Sequence, residues 1–515
     1  MSPTESKSNP STPIYLYGAA VQGIQGFIFQ TNELKDIVGA SELVEEICTN
    51  MFEDEFKQDG ELIVSAAGNI KCLFYSEAQC KKAVLLFPKM VMEAAPGITI
   101  SQAVVTTTEK EMNSGFQMVI DRLEKKLHDQ RNRVPQNLTT GLMGIERSRK
   151  TGLPAVKVVK EDGIELYLDL GTAKKRDRSE DNQATMHLCP KSFGRNQIIS
   201  PESIALNIGD LTDKNDWIAI IHADGNGLGA VLANKGGDKE QLKLFSSNLS
   251  KATEAAAQKT YEEMIKNLGK KTNEDIPKNL DKKIPFRPVV LSGDDMTMIC
   301  RVDLAIDYAT AFMKHFEEET ERLLRFRLTA CAGIAFIKSS FPFHYGYQLA
   351  ETLCGIAKKD AKRRVENGII PACLMFYKVQ SSFVEKFDDI IAKELTPQKG
   401  HSFVFGPYYL NNQPHRWTIK KLMELVNMIS EKKDKSEKEQ KDGNAIKSDM
   451  RNWMSLMHEG IAKAEQRKKR VMQLAKGRIK DCFEEAVTPD ERNGDLCYPA
   501  YDILSISTVE NLETK

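Results

Sequence analysis

The chain has 515 residues, enough for roughly two to four domains of ordinary size. Lys plus Arg equals Asp plus Glu at 72 each, which excludes a protein that coats nucleic acid with its whole surface, so any such contact must be local. The first residues, MSPTESKSNPSTP, are polar, and no stretch reaches the ~18 apolar residues of a membrane span. We therefore expect a soluble cytoplasmic protein.

The ten cysteines are scattered, and none forms a C-x-x-C pair. Several lie inside apolar runs. We expect buried free thiols in a reducing compartment and no structural zinc site.

Residues 14–131 show the element order β-α-β-β-α-β, which predicts a ferredoxin-like domain. Its first strand is IYLYGA, and Gly68-Asn69 between two apolar arms predicts a hairpin. Residues 1–13 before it are expected to be disordered.

Residues 132–215 are mixed in composition and are interpreted as a connector or insertion. IELYLDL predicts a strand there. The charged run at 174–184, KKRDRSEDNQA, is expected to be exposed.

The same element order returns in residues 216–394. WIAIIHADGNG is a predicted strand, VVLSGDDMTMIC a predicted hairpin, and RLTACAGIAFI a further strand. Helical periodicity lies between and after them, at 238–267, 302–323 and 345–363. The sequence thus predicts an α+β fold with two ferredoxin-like domains in tandem.

Residues 395–515 are predicted to form a C-terminal helical domain. TIKKLMELVNMIS and the segment from IKSDM to IKDCF are amphipathic, and the lysine- and glutamate-rich EKKDKSEKEQKDGN between them is a predicted mobile linker. The residues expected to form apolar helix faces are Met423, Leu425, Val426, Met428, Trp453, Leu456 and Met457.

Three carboxylates are expected to meet at one edge of the second sheet. Asp224 ends the first strand of the unit, and Asp294 and Asp295 lie in the hairpin turn, which is adjacent to that strand end in this fold. A buried carboxylate costs several kcal/mol unless it is paired or bound to a metal, and adjacent carboxylates also repel each other. Oxygen ligands suit Mg²⁺ or Mn²⁺, and two such ions serve nucleotidyl transfer. The sequence therefore predicts a two-metal catalytic site.

Small and basic residues around this cluster are candidates for nucleotide binding. Small residues let backbone approach phosphates, and a lysine can hold a terminal phosphate. The candidates are Gly225, Asn226, Gly227, Gly229, Ser292, Gly293, Lys358 and Lys359. A solvated helix face explains the two lysines nearly as well, and S-G-D-D alone is an ordinary tight turn.

A His-Asp pair such as His128-Asp129 also occurs in HD phosphohydrolases. That fold needs further His and Asp ligands from other helices, whereas the eight histidines here are scattered. A solvated helix explains the pair better.

The chain resembles the large signature subunit of type III CRISPR effector complexes. ADGNGLG with LSGDD, the passage from LTACAGIAFI to AKKDAKR, and the N-terminal GIQGFIFQTNELKDIVGASELVEEI carry the resemblance. It covers residues 14–130 and 216–380 well, and the C-terminal helices only by position and type. That family has two palm domains of the nucleotidyl cyclase type, the second with a GGDD motif, and a helical C-terminal domain.

The resemblance implies that ATP is joined into cyclic oligoadenylate second messengers when the complex binds target RNA. Asp294 and Asp295 match the family's metal-binding aspartates, and Asp224 matches the acidic residue of the facing strand. Gly39-Ala40-Ser41 matches the element by which the first palm holds the other nucleotide. Ser292 replaces the first glycine of GGDD, a change between small residues that we expect to be tolerated.

Two departures from the family pattern change the expected activity. Members often begin with an HD nuclease domain, but only about 13 residues precede the first palm strand, so we expect no cleavage of single-stranded DNA. Many members bind zinc through cysteine pairs between the palms, which the single Cys189 cannot supply.

The expected partners are other type III subunits, including a small helical subunit, and guide and target RNA through the complex. Basic clusters at Arg467–Arg470 and Lys476–Lys480 could contact RNA, although a solvated helix face is the commoner meaning of such runs. The alternatives are a free-standing defence cyclase of the same palm type and a catalytically silent scaffold. A diguanylate cyclase fits less well, since its turn reads GGDEF or GGEEF.

Overall fold

A computed structural model of the protein describes most of the chain. The described residues are 13–66, 68–132, 144–161, 163–180, 188–194, 203–212, 216–229, 238–272, 283–380, 386–430, 437–492 and 494–510. The expected disorder of residues 1–13 lies outside them except at Pro13, which begins a strand.

The first palm is built on a four-stranded antiparallel sheet. Its strands are β1 (Pro13–Gln22), β2 (Glu61–Ala66), β3 (Asn69–Phe74) and β4 (Thr99–Thr108), in the order β2-β3-β1-β4. The hairpin predicted at Gly68 joins β2 to β3. This is the ferredoxin-like arrangement that the element order predicts.

Helices cover both faces of this sheet. One face carries α1 (Ile24–Ile28), α2 (Leu34–Glu46), α3 (Phe52–Phe56) and α4 (Glu77–Ala94). A π-helical segment continues α2 from Ile47 to Met51. On the other face α5 (Glu109–Arg131) packs in a separate apolar cluster.

The connector contains a hairpin and two helices. The hairpin strands are β5 (Ala155–Glu161) and β6 (Ile164–Asp169), and the latter confirms the strand expected at IELYLDL. The helices are α6 (Leu170–Glu180) and α7 (Leu188–Phe193), and a 3-10 turn follows at Ile208–Asp210.

The expected exposure of the charged run 174–184 is wrong for part of its described residues. Lys175 is fully buried, and its ammonium group donates to the carbonyl oxygen of Phe27 at 2.7 Å. Arg176 is 3% exposed and pairs with the buried carboxylate of Asp36 at 2.8 Å. The run is therefore not uniformly exposed, because these buried charged side chains of α6 contact polar groups of the first palm. Residues 181–184 lie outside the described residues.

The second palm has a six-stranded sheet. Its strands are β7 (Trp217–Gly225), β8 (Phe286–Ser292), β9 (Asp295–Arg301), β10 (Ala330–Lys338) and β11 (Cys373–Lys378). Four of them have the ferredoxin-like order β10-β7-β9-β8, and β11 adds parallel to β10. The sixth, Tyr408–Tyr409, lies on the outer edge of β11. The helices of this unit are α8 (Lys239–Thr272), α9 (Ala305–Leu324) and α10 (Phe343–Lys362), with a 3-10 turn at Val302–Leu304.

The C-terminal part is mostly helical. The elements are α11 (Phe387–Ile390) with a π-helical segment Ile391–Leu395, β12 (His401–Ser402), β13 (Tyr408–Tyr409), α12 (Ile419–Ile429), α13 (Glu437–Glu459), α14 (Ile461–Leu474), α15 (Arg478–Val487), β14 (Asp490–Arg492), β15 (Asp495–Cys497) and α16 (Ala500–Glu510). Strands β12, β15 and β14 form a small sheet that the sequence analysis did not predict.

The predicted mobile linker is wrong over its second half. Residues 437–444 are the first turns of α13, while 431–436 lie outside the described residues. Lysine and glutamate are good helix formers, so a charged, polar composition does not by itself exclude a helix. The expected apolar faces hold at Leu425, Val426, Trp453 and Met457, whereas Met428 is 42% exposed.

The C-terminal part is joined closely to the second palm. β13 completes the palm sheet, and Arg416 pairs with Asp360 of α10 at 2.8 Å. The hydroxyl of Tyr409 donates to the same carboxylate at 2.6 Å. A chain cut near residue 395 would lose these contacts.

Among the helices of the described residues, none combines the length and apolar character that a membrane crossing requires. All ten cysteines are buried free thiols.

Candidate active site at the SGDD turn

Strand register places Asp224 directly opposite Asp295. The antiparallel pair of β7 and β9 matches these two residues, and the pair of β8 and β9 matches Ser292 with Asp295. Opposed residues in antiparallel strands point to the same face. Ser292, Asp295 and Asp224 therefore form a row across three strands.

Asp294 completes the cluster from the turn itself. Gly293 before it has a φ of 64°, a left-handed conformation that glycine adopts without strain. A Cβ atom on Gly225 would come within 2.7 Å of Oδ2 of Asp294, so only glycine leaves room for that carboxylate. Ligand oxygens of Asp224, Asp294 and Asp295 all lie within 4.8 Å of one another.

The cluster carries unfavourable electrostatics. The pKa of Asp295 is raised well above its ordinary value by burial first, and then by the neighbouring charges of Asp224 and Asp294. Burial and the charge of Asp224 likewise raise the pKa of Asp294. Two carboxylates with raised pKa values beside the third, half-buried carboxylate of Asp224 are a donor set suited to divalent cations, and the residues therefore fit the implied metal ions.

Lys358 is the cation that the described structure brings to this cluster. Its ammonium group pairs with Asp224 and donates to the carbonyl oxygen of Gly225 at 2.7 Å. Helix α10 comes close to the sheet because Gly333 faces it, where a Cβ atom would lie 1.9 Å from the carbonyl oxygen of Ala350. Lys359 is exposed, so the structure favours Lys358 of the two candidates.

Asn226 lies at the site, but its side chain serves the fold. It is 4% exposed and donates to Oγ1 of Thr329 at 2.9 Å, which ties the end of β7 to the start of β10. Gly227 has a φ of 75°, and Gly229 faces open space. Neither residue adds a side chain to the backbone after Asp224.

A cavity of about 100 Å³ separates the first palm from the acidic row. Ser41 of α2 lines it opposite Ser292 and Asp295, and donates its own hydroxyl to the carbonyl oxygen of Ile37 at 2.8 Å. Gly39 faces the connector instead, where a Cβ atom would lie 1.7 Å from the carbonyl oxygen of Lys175. The structure thus gives Ser41 a place beside the candidate site and Gly39 a packing role.

The wall of this inter-palm cavity contains residues that the sequence analysis missed. His222 is 7% exposed and its Nδ1 lies 3.2 Å from Oγ1 of Thr297. Burial lowers the pKa of His222 to about 4, so its ring is neutral at physiological pH. Tyr347 of α10 accepts a 2.9 Å hydrogen bond from Gln25 of the first palm. The period of two along β7 could have revealed His222, because it shares a face with Asp224.

A larger cleft of about 640 Å³ lies on the other side of the turn. Ser292 and Gly293 line it, and Thr253 of α8 donates to the carbonyl oxygen of Gly293 at 2.6 Å. Basic and hydroxyl side chains make up much of its wall: Lys191, Lys243, Ser246, Ser247, Ser250 and Lys251. The sequence analysis named none of these, since they lie in the connector and in an ordinary-looking amphipathic helix.

The sequence of residues 217–366 matches the model of the Cas10/Cmr2 second palm domain. The chain carries a Cas10/Cmr2-type second palm. No curated protein matched the chain in sequence.

Solved Cas10-type structures match nearly the whole chain in fold. A Csm1–Csm4 cassette in complex with cA4 matches with a TM-score of 0.59 and 13% identity, over 97% of this chain and 70% of that one. A cassette in complex with pppApApA matches with the same score and identity, over 98% and 70%. The Csm1–Csm4 subcomplex of the type III-A CRISPR-Csm interference complex matches with a TM-score of 0.53 and 13% identity, over 97% and 70%. Together with the family match, these confirm the two-palm α+β fold and the resemblance to Cas10-type large subunits.

Proposed function

We propose that this chain is the signalling subunit of a type III CRISPR complex and joins ATP into cyclic oligoadenylates at the SGDD turn. The observation that carries the proposal is the row of Asp224, Asp295 and Ser292, closed by Asp294, with a cavity on each side of the turn. Joining two nucleotides needs a place for each beside one acidic centre. The solved relatives in complex with ATP, AMPPNP and cA4 support this choice of substrate.

Asp224, Asp294 and Asp295 would hold two Mg²⁺ or Mn²⁺ ions. Such ions, when bound, lower the pKa of an attacking hydroxyl and neutralise charge on the phosphates. In the joining step a 3′-oxygen forms a bond to the α-phosphorus of ATP, and the bond to pyrophosphate breaks. The chain's own contribution is to hold both nucleotides in line and to supply positive charge.

Lys358 would supply that charge from α10. It is paired with Asp224 and is only 18% exposed, so its ammonium group is oriented before a nucleotide arrives. A triphosphate beside Asp224 would share this cation, because phosphate oxygens are strong acceptors. Ser41 of the first palm and Ser292 of the second both line the inter-palm cavity and would orient the second nucleotide.

The proposed partners are other type III subunits, with guide and target RNA bound through the complex. The solved relatives are paired with Csm4. Of the basic clusters, Arg467 pairs with Asp449 within the chain, whereas Lys469, Arg470 and Lys476 are exposed. These exposed residues are the better candidates for contact with RNA or a helical subunit.

The test is to purify the chain with its co-purifying subunits and RNA and to add labelled ATP, Mg²⁺ or Mn²⁺, and complementary RNA. Mass spectrometry should show cyclic oligoadenylates that depend on that RNA. Products from the lone chain without RNA would favour the free-standing cyclase. No product from an intact complex would favour the scaffold.

A further inference from the structure

Lys191 of the connector lines the larger cleft beside the SGDD turn, and its ion-pair partner Glu45 lines the inter-palm cavity. We propose that it is a phosphate-binding residue, which holds the triphosphate of a nucleotide in the larger cleft. This role rests on the proposed function, since it assigns a further residue to the same nucleotide site.

The backbone of Lys191 is fixed from the second palm. Gln258 of α8 donates to the carbonyl oxygen of Lys191 at 3.1 Å. Two residues on, the ring of Phe193 lies 4.5 Å from that of Tyr261, centroid to centroid. The lysine therefore projects from a held position, although it belongs to the connector between the palms.

The side chain of Lys191 bridges the palms. Its ammonium group pairs with Glu45 of α2, a 5% exposed carboxylate that also lines the inter-palm cavity. It lies 3.7 Å from Glu254 of α8, a residue of the larger cleft. Glu254 follows Thr253, which holds the carbonyl of Gly293 in the turn. The ammonium group is thus close to the residue that follows Thr253, and Thr253 holds the turn that carries Asp294.

The wall of the larger cleft is suited to a polyphosphate. Lys243 and Lys251 of α8 line it together with Lys191, against the carboxylates of Glu53 and Glu254. Ammonium and hydroxyl groups donate to phosphate oxygens. The side chain of Lys191 is 18% exposed, so water screens it less than it would a surface lysine.

A bound triphosphate would compete with Glu254 and Glu45 for the same ammonium group. The competition can be tested by two opposite changes in affinity. Removing a competing carboxylate should strengthen binding of the triphosphate, whereas removing the ammonium group should weaken it.

The experiment is a calorimetric titration of the full-length chain with MgATP. Lys191→Met should raise the dissociation constant of MgATP by about tenfold or more, because a charge-assisted contact is lost. Lys191→Arg should stay within a few fold of wild type. Glu254→Gln should tighten binding, since it frees the ammonium group. Lys259→Met, on α8 and paired with Glu319 at 2.6 Å, is the control and should bind as wild type does.

Equal affinity of Lys191→Met and wild type would overturn the role of Lys191 alone. Weaker binding by Glu254→Gln would also overturn it, because a purely structural bridge loses strength when either partner is removed. If Lys191→Met fails to fold, the Glu254→Gln measurement still decides. No MgATP binding by the folded wild type would overturn this role together with the proposed nucleotide site.

Discussion

Lys358 forms an ion pair with Asp224 at the end of the central strand of the second palm. The pair joins α10 to β7, and Asp224 in turn faces Asp295 across the sheet. One lysine thus offsets part of the charge of three half-buried carboxylates.

The two neighbouring lysines of α10 provide a matched comparison. Lys358→Met should lower the rate of ATP joining by about a hundredfold, as for other preorganised charges at a reacting phosphate. Lys359→Met should leave the rate close to wild type, because that side chain is exposed. Rates measured on complexes of equal subunit content check this. Equal losses in both variants would contradict the assignment of Lys358.

The acidic cluster should destabilise the metal-free protein at neutral pH. The raised pKa values of Asp294 and Asp295 mean that the folded protein binds these protons more tightly than the unfolded chain. Their favourable contribution is complete below the ordinary carboxyl pKa and is lost as the pH rises through the raised values. Asp295→Asn should therefore raise the free energy of unfolding by about 1 kcal/mol in EDTA near pH 8.

Thermal unfolding with and without MgCl₂ measures this effect. Mg²⁺ should raise the melting temperature of wild type and should have less effect on Asp295→Asn. Asp129→Asn, at an exposed site on α5, is the control and should change neither value. A lower melting temperature for Asp295→Asn in EDTA would show that the carboxylate stabilises the fold.

Gly39 should tolerate no side chain. Gly39→Ala would place a Cβ atom 1.7 Å from the carbonyl oxygen of Lys175, so α2 and α6 must separate, at a cost of about 3 kcal/mol or more. Gly355→Ala is the matched control, since its Cβ atom would meet open space within a helix. It should stabilise the protein by roughly 0.5–1 kcal/mol. Chemical denaturation of both variants measures their free energies of unfolding. A Gly39→Ala variant as stable as Gly355→Ala would contradict the packing role of Gly39.

The buried ion pair of the connector makes a separate prediction. Arg176→Met would leave Asp36 buried without its guanidinium partner and should cost about 3–5 kcal/mol of stability. Lys174→Met, on the exposed side of the same helix, should change stability by less than about 0.5 kcal/mol. Similar urea midpoints for the two variants would mean that α6 does not hold the first palm.

The acidic site could be predicted from sequence because the element order of the unit brings its parts together. A strand ending in Asp224 and a hairpin turn at Asp294 must meet in any β-α-β-β-α-β unit, whatever surrounds them. The register that sets Asp224 opposite Asp295 was not predicted, because strand order alone does not determine which residues pair.

The connector could not be predicted in this way. Lys175 and Arg176 look like solvated residues, and only their partners on the first palm, such as Asp36, make burial favourable. Those partners are about 140 residues away in sequence. The same reason hides Lys191 and the pairing of β13 with β11, since local patterns carry no information on distant partners.

The most direct test is the rate of ATP joining by the complex with Asp294→Asn and Asp295→Asn together, measured with target RNA and Mg²⁺ or Mn²⁺. The account predicts that the double variant assembles into the complex but yields no cyclic oligoadenylate. Without metal, its melting temperature should equal that of wild type or be slightly higher. Wild-type amounts of product from this double variant would contradict the claim that the acidic cluster is the catalytic centre.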